Sequence, residues 1–159
     1  VLLVLIALGT AVTPFVGQNY GAGGMDRVAN GIRWCQRFSV AYGLSVAVLL
    51  AIVAPYVARL FTDDATAIST ALMHMRIVPA SYLAIGFALA ASNSFNAIGK
   101  PMAGMIISLT RTILVYAPLA WLLSGALGLV GIFAAACTAN VMAGAVGLLW
   151  CRAIFARLK

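Results

Sequence analysis

Long apolar runs separated by short polar breaks dominate the chain. The first charged residue is Asp26, Phe38–Ala58 carries no charge, and neither does Ile77–Gly99. From Met102 to Cys151 the only charge is Arg111. A helix needs about 20 residues to cross ~30 Å of hydrocarbon. The last run is too long for one crossing, and Ser124-Gly125-Ala126-Leu127-Gly128 supplies the glycines to fold it into a hairpin. The pattern therefore predicts five helical spans, at about 1–19, 38–59, 77–98, 102–123 and 129–151. The runs are about twice the length of a barrel strand and do not alternate, which excludes a transmembrane β-barrel.

The connectors fit this reading. Gln18–Gly24 is Gly-rich, and Phe61–Asp64 is short and acidic, with Asp64 placed to cap a short helix leading into the third span. Gly99-Lys100-Pro101 reads as a tight turn whose proline opens the next helix. Between the first two spans, Met25, Val28, Ala29 and Ile32 share one helical face, and Asp26, Arg27, Asn30 and Arg33 the other. Two readings stand open: a short interfacial helix with its basic face toward anionic headgroups, or the first turns of span two.

Composition agrees. Of 159 residues, 64% are hydrophobic and 8% charged, and the mean hydropathy is +1.08. A soluble domain carries roughly 25% charged residues. The net charge of +7 is spread thinly between apolar runs, without a basic cluster or a phosphate-binding loop, so nucleic acid is not expected as a partner. Cys35, Cys137 and Cys151 have no metal or disulfide spacing, and Cys137 reads as a small buried hydrophobe. The chain opens Val1-Leu2-Leu3 with no charged region ahead of the apolar stretch, unlike a signal peptide. It reads as starting inside a helix, as a piece of a longer protein.

Positive charge gives the spans a direction. One end collects Arg27, Arg33, Arg37, Lys100, Arg152, Arg157 and Lys159; the other has Arg59 and Arg76 with Asp63, Asp64 and His74. Seven basic residues against two assign the first end, with the C-terminus, to the cytoplasm.

Small residues recur every fourth position in the last span, at Gly131, Ala135, Ala139, Ala143 and Gly147, as expected of a helix-packing stripe. A similar row, Ala80, Ala84, Ala88 and Ser92, runs through the third span to Asn96. Ser92, Asn93 and Asn96 are expected on one face, with Tyr82 and Gly86 further out along it, forming either a polar cavity wall or inter-helix hydrogen bonds. Arg111 lies nine residues after Met102, roughly 13 Å into its helix at 1.5 Å per residue. It either faces protein or a wet cavity, or snorkels to the headgroups. Pro14 and Pro118 interrupt spans one and four, as hinges or as fixed kinks. No span contains Asp or Glu, the groups a proton or sodium carrier needs in the membrane. No catalytic constellation, metal site or cofactor motif is present in the sequence, and no enzyme activity is expected.

Three stretches carry a resemblance. They are Pro14-Phe15-Val16-Gly17-Gln18-Asn19-Tyr20-Gly21-Ala22-Gly23 with Asp26-Arg27, then Asn96-Ala97-Ile98-Gly99-Lys100-Pro101, and finally Pro118–Leu122 with Gly128–Ile132 and Asn140. Together they resemble the multidrug and toxic compound extrusion (MATE) transporters, specifically helices eight to twelve of twelve. The resemblance implies an all-α polytopic bundle of five spans, most of one six-helix lobe. The N-terminal lobe would be a further partner, besides the bilayer and a small organic substrate. It further implies efflux by antiport with sodium ions or protons, in a multi-pass protein of the bacterial inner membrane. Near Gly86, where some branches of the family keep a coupling acid, this sequence has none, so the ion would be held mainly by residues outside this stretch. Gln18, Tyr82, Asn93, Asn96 and Arg111 are the residues expected at the cavity or its gate. The rival functions are a lipid-linked saccharide flippase of the same superfamily, which would want more basic residues in its cavity, and a non-transporting membrane scaffold, which would need no paired lobe.

Overall fold

The computed structural model describes residues 1–157, the side chains of Ala156 and Arg157 excepted; Lys159 and the Arg157 side chain, both counted in the basic end, lie outside the described part. The elements are α1 (Leu2–Gly21), α2 (Met25–Phe61), α3 (Ala65–Ile77), α4 (Tyr82–Ala97), α5 (Pro101–Leu109), α6 (Ala117–Leu127) and α7 (Leu129–Arg157). A 3-10 turn at Val78–Ser81 joins α3 to α4, and a π turn at Thr110–Tyr116 joins α5 to α6. Among the described residues, five continuous helical runs are long and apolar enough to cross a membrane: 2–21, 25–61, 65–97, 101–127 and 129–155.

One of the open questions closes here. α2 is one unbroken helix of 37 residues, about 55 Å at 1.5 Å per residue, so the stretch from Met25 to Arg33 forms the first turns of span two. Its division of faces survives, with Val28 and Ile32 buried and Arg27 and Arg33 exposed. The short helix expected ahead of the third span is α3, and it runs into that span through the 3-10 turn. Asp64 caps α3 by accepting from the Thr66 backbone N–H at 2.9 Å. Pro79 has no N–H and its ring collides with the carbonyl four residues back, so the run tightens into the 3-10 turn there.

The ends of α1 and α4 share one chemistry. Gly24 N–H bonds to Asn19 C=O and Gly23 N–H to Tyr20 C=O; likewise Lys100 N–H bonds to Phe95 C=O and Gly99 N–H to Asn96 C=O. Gly23 and Gly99 hold φ of +72° and +73°, the left-handed conformation that closes this cap. Two of the motifs that carry the family resemblance are therefore helix stops.

α4 is the axis of the bundle, packed against α1, α2 and α7, while α6 lies against α7. With apolar lipid outside, burial gives no net drive between helices, and close backbone contact has to supply the attraction. The small residues permit it. A Cβ on Gly43 of α2 would stand 2.7 Å from the Leu83 nitrogen, and one on Gly144 of α7 2.6 Å from the Ala84 carbonyl oxygen. Toward the basic end the contact widens into a cluster of larger side chains, among them Val12, Val16, Val28, Ile32, Phe95 and Ile107. Leu44, Val48, Leu49 and Ile52 of α2 point outward, as a lipid-facing surface does.

Candidate functional site

The two helix breaks are joined by polar side chains. Asn140 of α7 donates from Nδ2 to Ser81 Oγ at 2.9 Å, and Ser81 Oγ donates to the Val78 carbonyl at 2.8 Å. The Asn140 Oδ1 accepts from Arg111 Nη1 in a long contact of 3.5 Å. Asn140 and Ser81 are 8% and 2% exposed, so the amide has both ends occupied inside the protein, as a buried amide requires. Cys137, one turn earlier on α7, has its Sγ 3.2 Å from the Ile77 carbonyl at the same break. The cysteine expected to act only as a hydrophobe thus also contacts a backbone acceptor.

Arg111 lies in the π turn, whose wider winding has a local cause. Pro118 follows two residues after the turn ends, and a proline interferes with the carbonyl four residues before it. Beside Arg111 opens a cavity of about 220 Å³, lined by Arg111, Thr112, Tyr116, Ala136, Ala139 and Asn140. Its lining offers one guanidinium, a phenol, a hydroxyl and an amide, a set suited to a polar or anionic group. Residues 65–159 contain no Asp or Glu, so no side chain of the helices around Arg111 supplies a counter-charge.

The other expected site residues go elsewhere. Tyr82, half-buried, opens α4 immediately after Ser81 and so adjoins this network in the chain. Asn93 lies on the side of α4 that meets α1: its Nδ2 donates to the Leu89 carbonyl at 2.9 Å and its Oδ1 accepts from Thr13 Oγ1 at 3.3 Å. Ser92 instead packs on Gly104 of α5, so the single polar face expected for Ser92, Asn93 and Asn96 is split. The reason is geometric, since adjacent helical residues stand about 100° apart. Gln18 and Asn96 are exposed, toward the basic ends of α1 and α4. The structure therefore does not gather the five residues into one site. The packing stripe lies buried throughout, at Gly131, Ala135, Ala139, Ala143 and Gly147, and the same spacing continues to Cys151 and Phe155.

Sequence reasoning gave no role to Ser81, Thr13 or Gly144, and quoted Asn140 only within a motif. A signal existed for two of them: Asn140 is the one amide in the last span, and Ser81 follows a helix-breaking proline by two residues. Among the described residues no group of three or more His, Cys, Asp or Glu could hold a metal ion.

Comparison with known proteins bears on this arrangement. The chain is 29% identical over 143 residues to a FAD transporter of Shewanella oneidensis, an alignment covering 90% of this chain and 32% of that protein. It superposes on a multidrug resistance MATE family transporter of the MOP superfamily in an outward-facing conformation with TM-score 0.92 and 25% identity, covering 99% of this chain and 36% of that one. The inward-facing conformation of such a transporter matches in fold with the same TM-score, 0.92, at 23% identity, over 99% of this chain and 37% of that one. The chain thus spans about a third of the length of the proteins it matches. The MatE family model matches residues 1–122, and the last hairpin motif, Gly128–Ile132 with Asn140, lies beyond it. With most of its length matched by that model, and with five membrane-spanning helices in the same arrangement, the chain belongs to the MatE family, that of the MATE transporters.

Proposed function

We propose that this chain forms five of the six helices of one lobe of a secondary transporter. It would export a small organic compound across the cytoplasmic membrane, with entry of sodium ions or protons as the driving force and the basic end of the bundle inside the cell. The observation that carries this reading is that one and the same five-helix arrangement fits transporters in both the outward-facing and the inward-facing state. A lobe that keeps its internal packing in both states moves as a body, and alternating access needs such a body. The close backbone contacts at Gly43 and Gly144 give it the rigidity. Apart from Asp26 in the first turn of α2, the described helices carry no carboxylate, so the coupling ion is assigned to helices beyond this stretch.

A second reading concerns the substrate. Arg111 faces a cavity whose helices hold no acid, and one relative is named a FAD transporter, FAD being a dinucleotide with two phosphates. Both favour an organic anion over the cationic compounds typical of multidrug export. The experiment is to express the whole gene in cells lacking their own exporters. Retention of a cationic dye and release of flavin nucleotides would both be measured. Flavin release without dye export supports the anionic reading, dye export without flavin release supports multidrug efflux, and no change in either argues against transport of these classes.

A further inference from the structure

At the basic end, α2 and α7 both pack on α4, and a cleft of about 370 Å³ opens between them. Its floor is apolar, formed by Ile32, Cys151 and Phe155, all buried in the helix cluster beneath. Its rim is polar, with Arg33 and Gln36 on α2 and Arg152 on α7. Both arginines are exposed. The cleft thus pairs a greasy seat with two cationic groups brought from helices more than 100 residues apart in the chain.

Its depth in the membrane can be read from the chain. The uncharged run of α2 starts at Phe38 and that of α7 ends at Cys151. Arg33 therefore lies about 7 Å outside the apolar run at 1.5 Å per residue, and Arg152 immediately outside it. An independent marker agrees: Trp34, beside Arg33, is 67% exposed and carries the Arg37 guanidinium 5.2 Å from its ring centroid. Tryptophans of this kind sit at the level of the headgroups. Acidic residues hardly offset the positive charge at this end, where Asp26 stands against Arg27, Arg33, Arg37, Lys100 and Arg152.

An apolar seat that opens at headgroup depth under two guanidiniums matches an amphiphile with an anionic head. We propose that the cleft between α2 and α7 is a binding site for an anionic phospholipid, with the phosphate held between Arg33 and Arg152 and an acyl chain lying on Ile32, Cys151 and Phe155. Guanidiniums suit this task because their planar donors engage phosphate oxygens in pairs. The apolar floor argues against a free phosphate or nucleotide, which gains nothing from it. A bound lipid would bridge α2 and α7 at this end of the bundle. This proposal does not depend on what the transporter carries.

The test uses the whole transporter, purified in neutral detergent and equilibrated with phosphatidylglycerol or phosphatidylcholine, with retained lipid counted by native mass spectrometry. Wild-type protein should retain phosphatidylglycerol preferentially. A basic residue near an anionic headgroup is worth roughly fivefold in affinity, so R33Q/R152Q should weaken retention on the order of 25-fold. R59Q/R76Q, at the opposite end, should leave it unchanged. Ala29→Trp keeps both charges and fills the cleft, and it too should expel the lipid; this variant decides the matter if R33Q/R152Q fails to fold. Glycerol phosphate, a head without chains, should not compete. Equal retention of the two lipids, wild-type retention by R33Q/R152Q or Ala29→Trp, or displacement by glycerol phosphate would each overturn the proposal. Because lipid is counted directly, a failure here leaves the transport reading untouched.

Discussion

Gly144 of α7 lies against Ala84 of α4 so closely that a Cβ there would stand 2.6 Å from the Ala84 carbonyl oxygen and 2.9 Å from its Cα. Neither neighbour is a flexible side chain that can swing aside; both are backbone. Lost contact area cannot be recovered from the hydrophobic effect in lipid, so separating these two helices forfeits the dispersion that holds them.

Gly144→Ala is therefore expected to destabilise the protein by about 1–3 kcal/mol, the usual cost of overpacking. Helix propensity alone predicts the opposite sign, since alanine is favoured over glycine by about 1 kcal/mol in a helix interior. Gly125→Ala in α6 is the control, because a Cβ there meets nothing within 4 Å. Thermal unfolding in detergent should show Gly144→Ala melting lower and Gly125→Ala melting at or above wild type. Equal behaviour of the two would mean that the α4–α7 contact yields to an added methyl group at little cost.

At Gly99 the cost should be purely conformational. Its φ is +73°, yet an added Cβ would meet nothing within 4 Å. Gly99→Ala should cost about 1–2 kcal/mol, the penalty of the left-handed region for a residue with a Cβ, and Gly99→Asn clearly less. The order of melting temperatures, glycine above asparagine above alanine, is the check. A lower melting point for asparagine than for alanine would point to crowding rather than to backbone strain.

These two glycines also mark how much could be read from the chain. Gly99 was legible because turn chemistry is local: a glycine ahead of Lys100-Pro101 at the end of an apolar run states its own conformation. The five spans were legible for the same reason, and the α7 row of small residues announced a packing face. Gly144 was not, because it lies one position outside the row and its role depends on which helix α7 crosses and where. The site suffered most. Ser81 and Asn140 are 59 residues apart, and only the tertiary fold brings them to 2.9 Å. Asn93, read together with Ser92, turned out to serve a different neighbour, since a spacing of one residue rotates the side chain by about 100°. The π turn had a local cause in Pro118, but a proline alone states only that the helix is disturbed and leaves open how.

The bond between Asn140 and Ser81 invites a double-mutant cycle. Replacing either residue by alanine removes the bond, and replacing both removes it once, so the cycle isolates the coupling. Hydrogen bonds between membrane helices average about 0.6 kcal/mol in such cycles, with a maximum of about 1.7. The value here should fall in the upper half of that range, because both residues are buried and Asn140 also accepts from Arg111. A coupling indistinguishable from zero in detergent unfolding would mean that each side chain satisfies itself independently.

Arg111 offers the prediction that separates architecture from transport. If the guanidinium serves only to hold Asn140, then Arg111→Lys and Arg111→Gln, both able to donate, should leave transport nearly intact, and Arg111→Leu should lower stability. The 3.5 Å contact to Asn140 is too long to be the main use of a charged donor, and the side chain also borders the cavity with Tyr116. We therefore expect charge to matter more than hydrogen bonding. In the whole transporter, Arg111→Gln should reduce flavin nucleotide transport at least tenfold while melting within a few degrees of wild type. Arg111→Lys should retain an intermediate rate, since it keeps the charge and loses the paired donors. Transport by Arg111→Gln at the wild-type rate would reduce Arg111 to a structural residue and remove the principal argument for an anionic substrate.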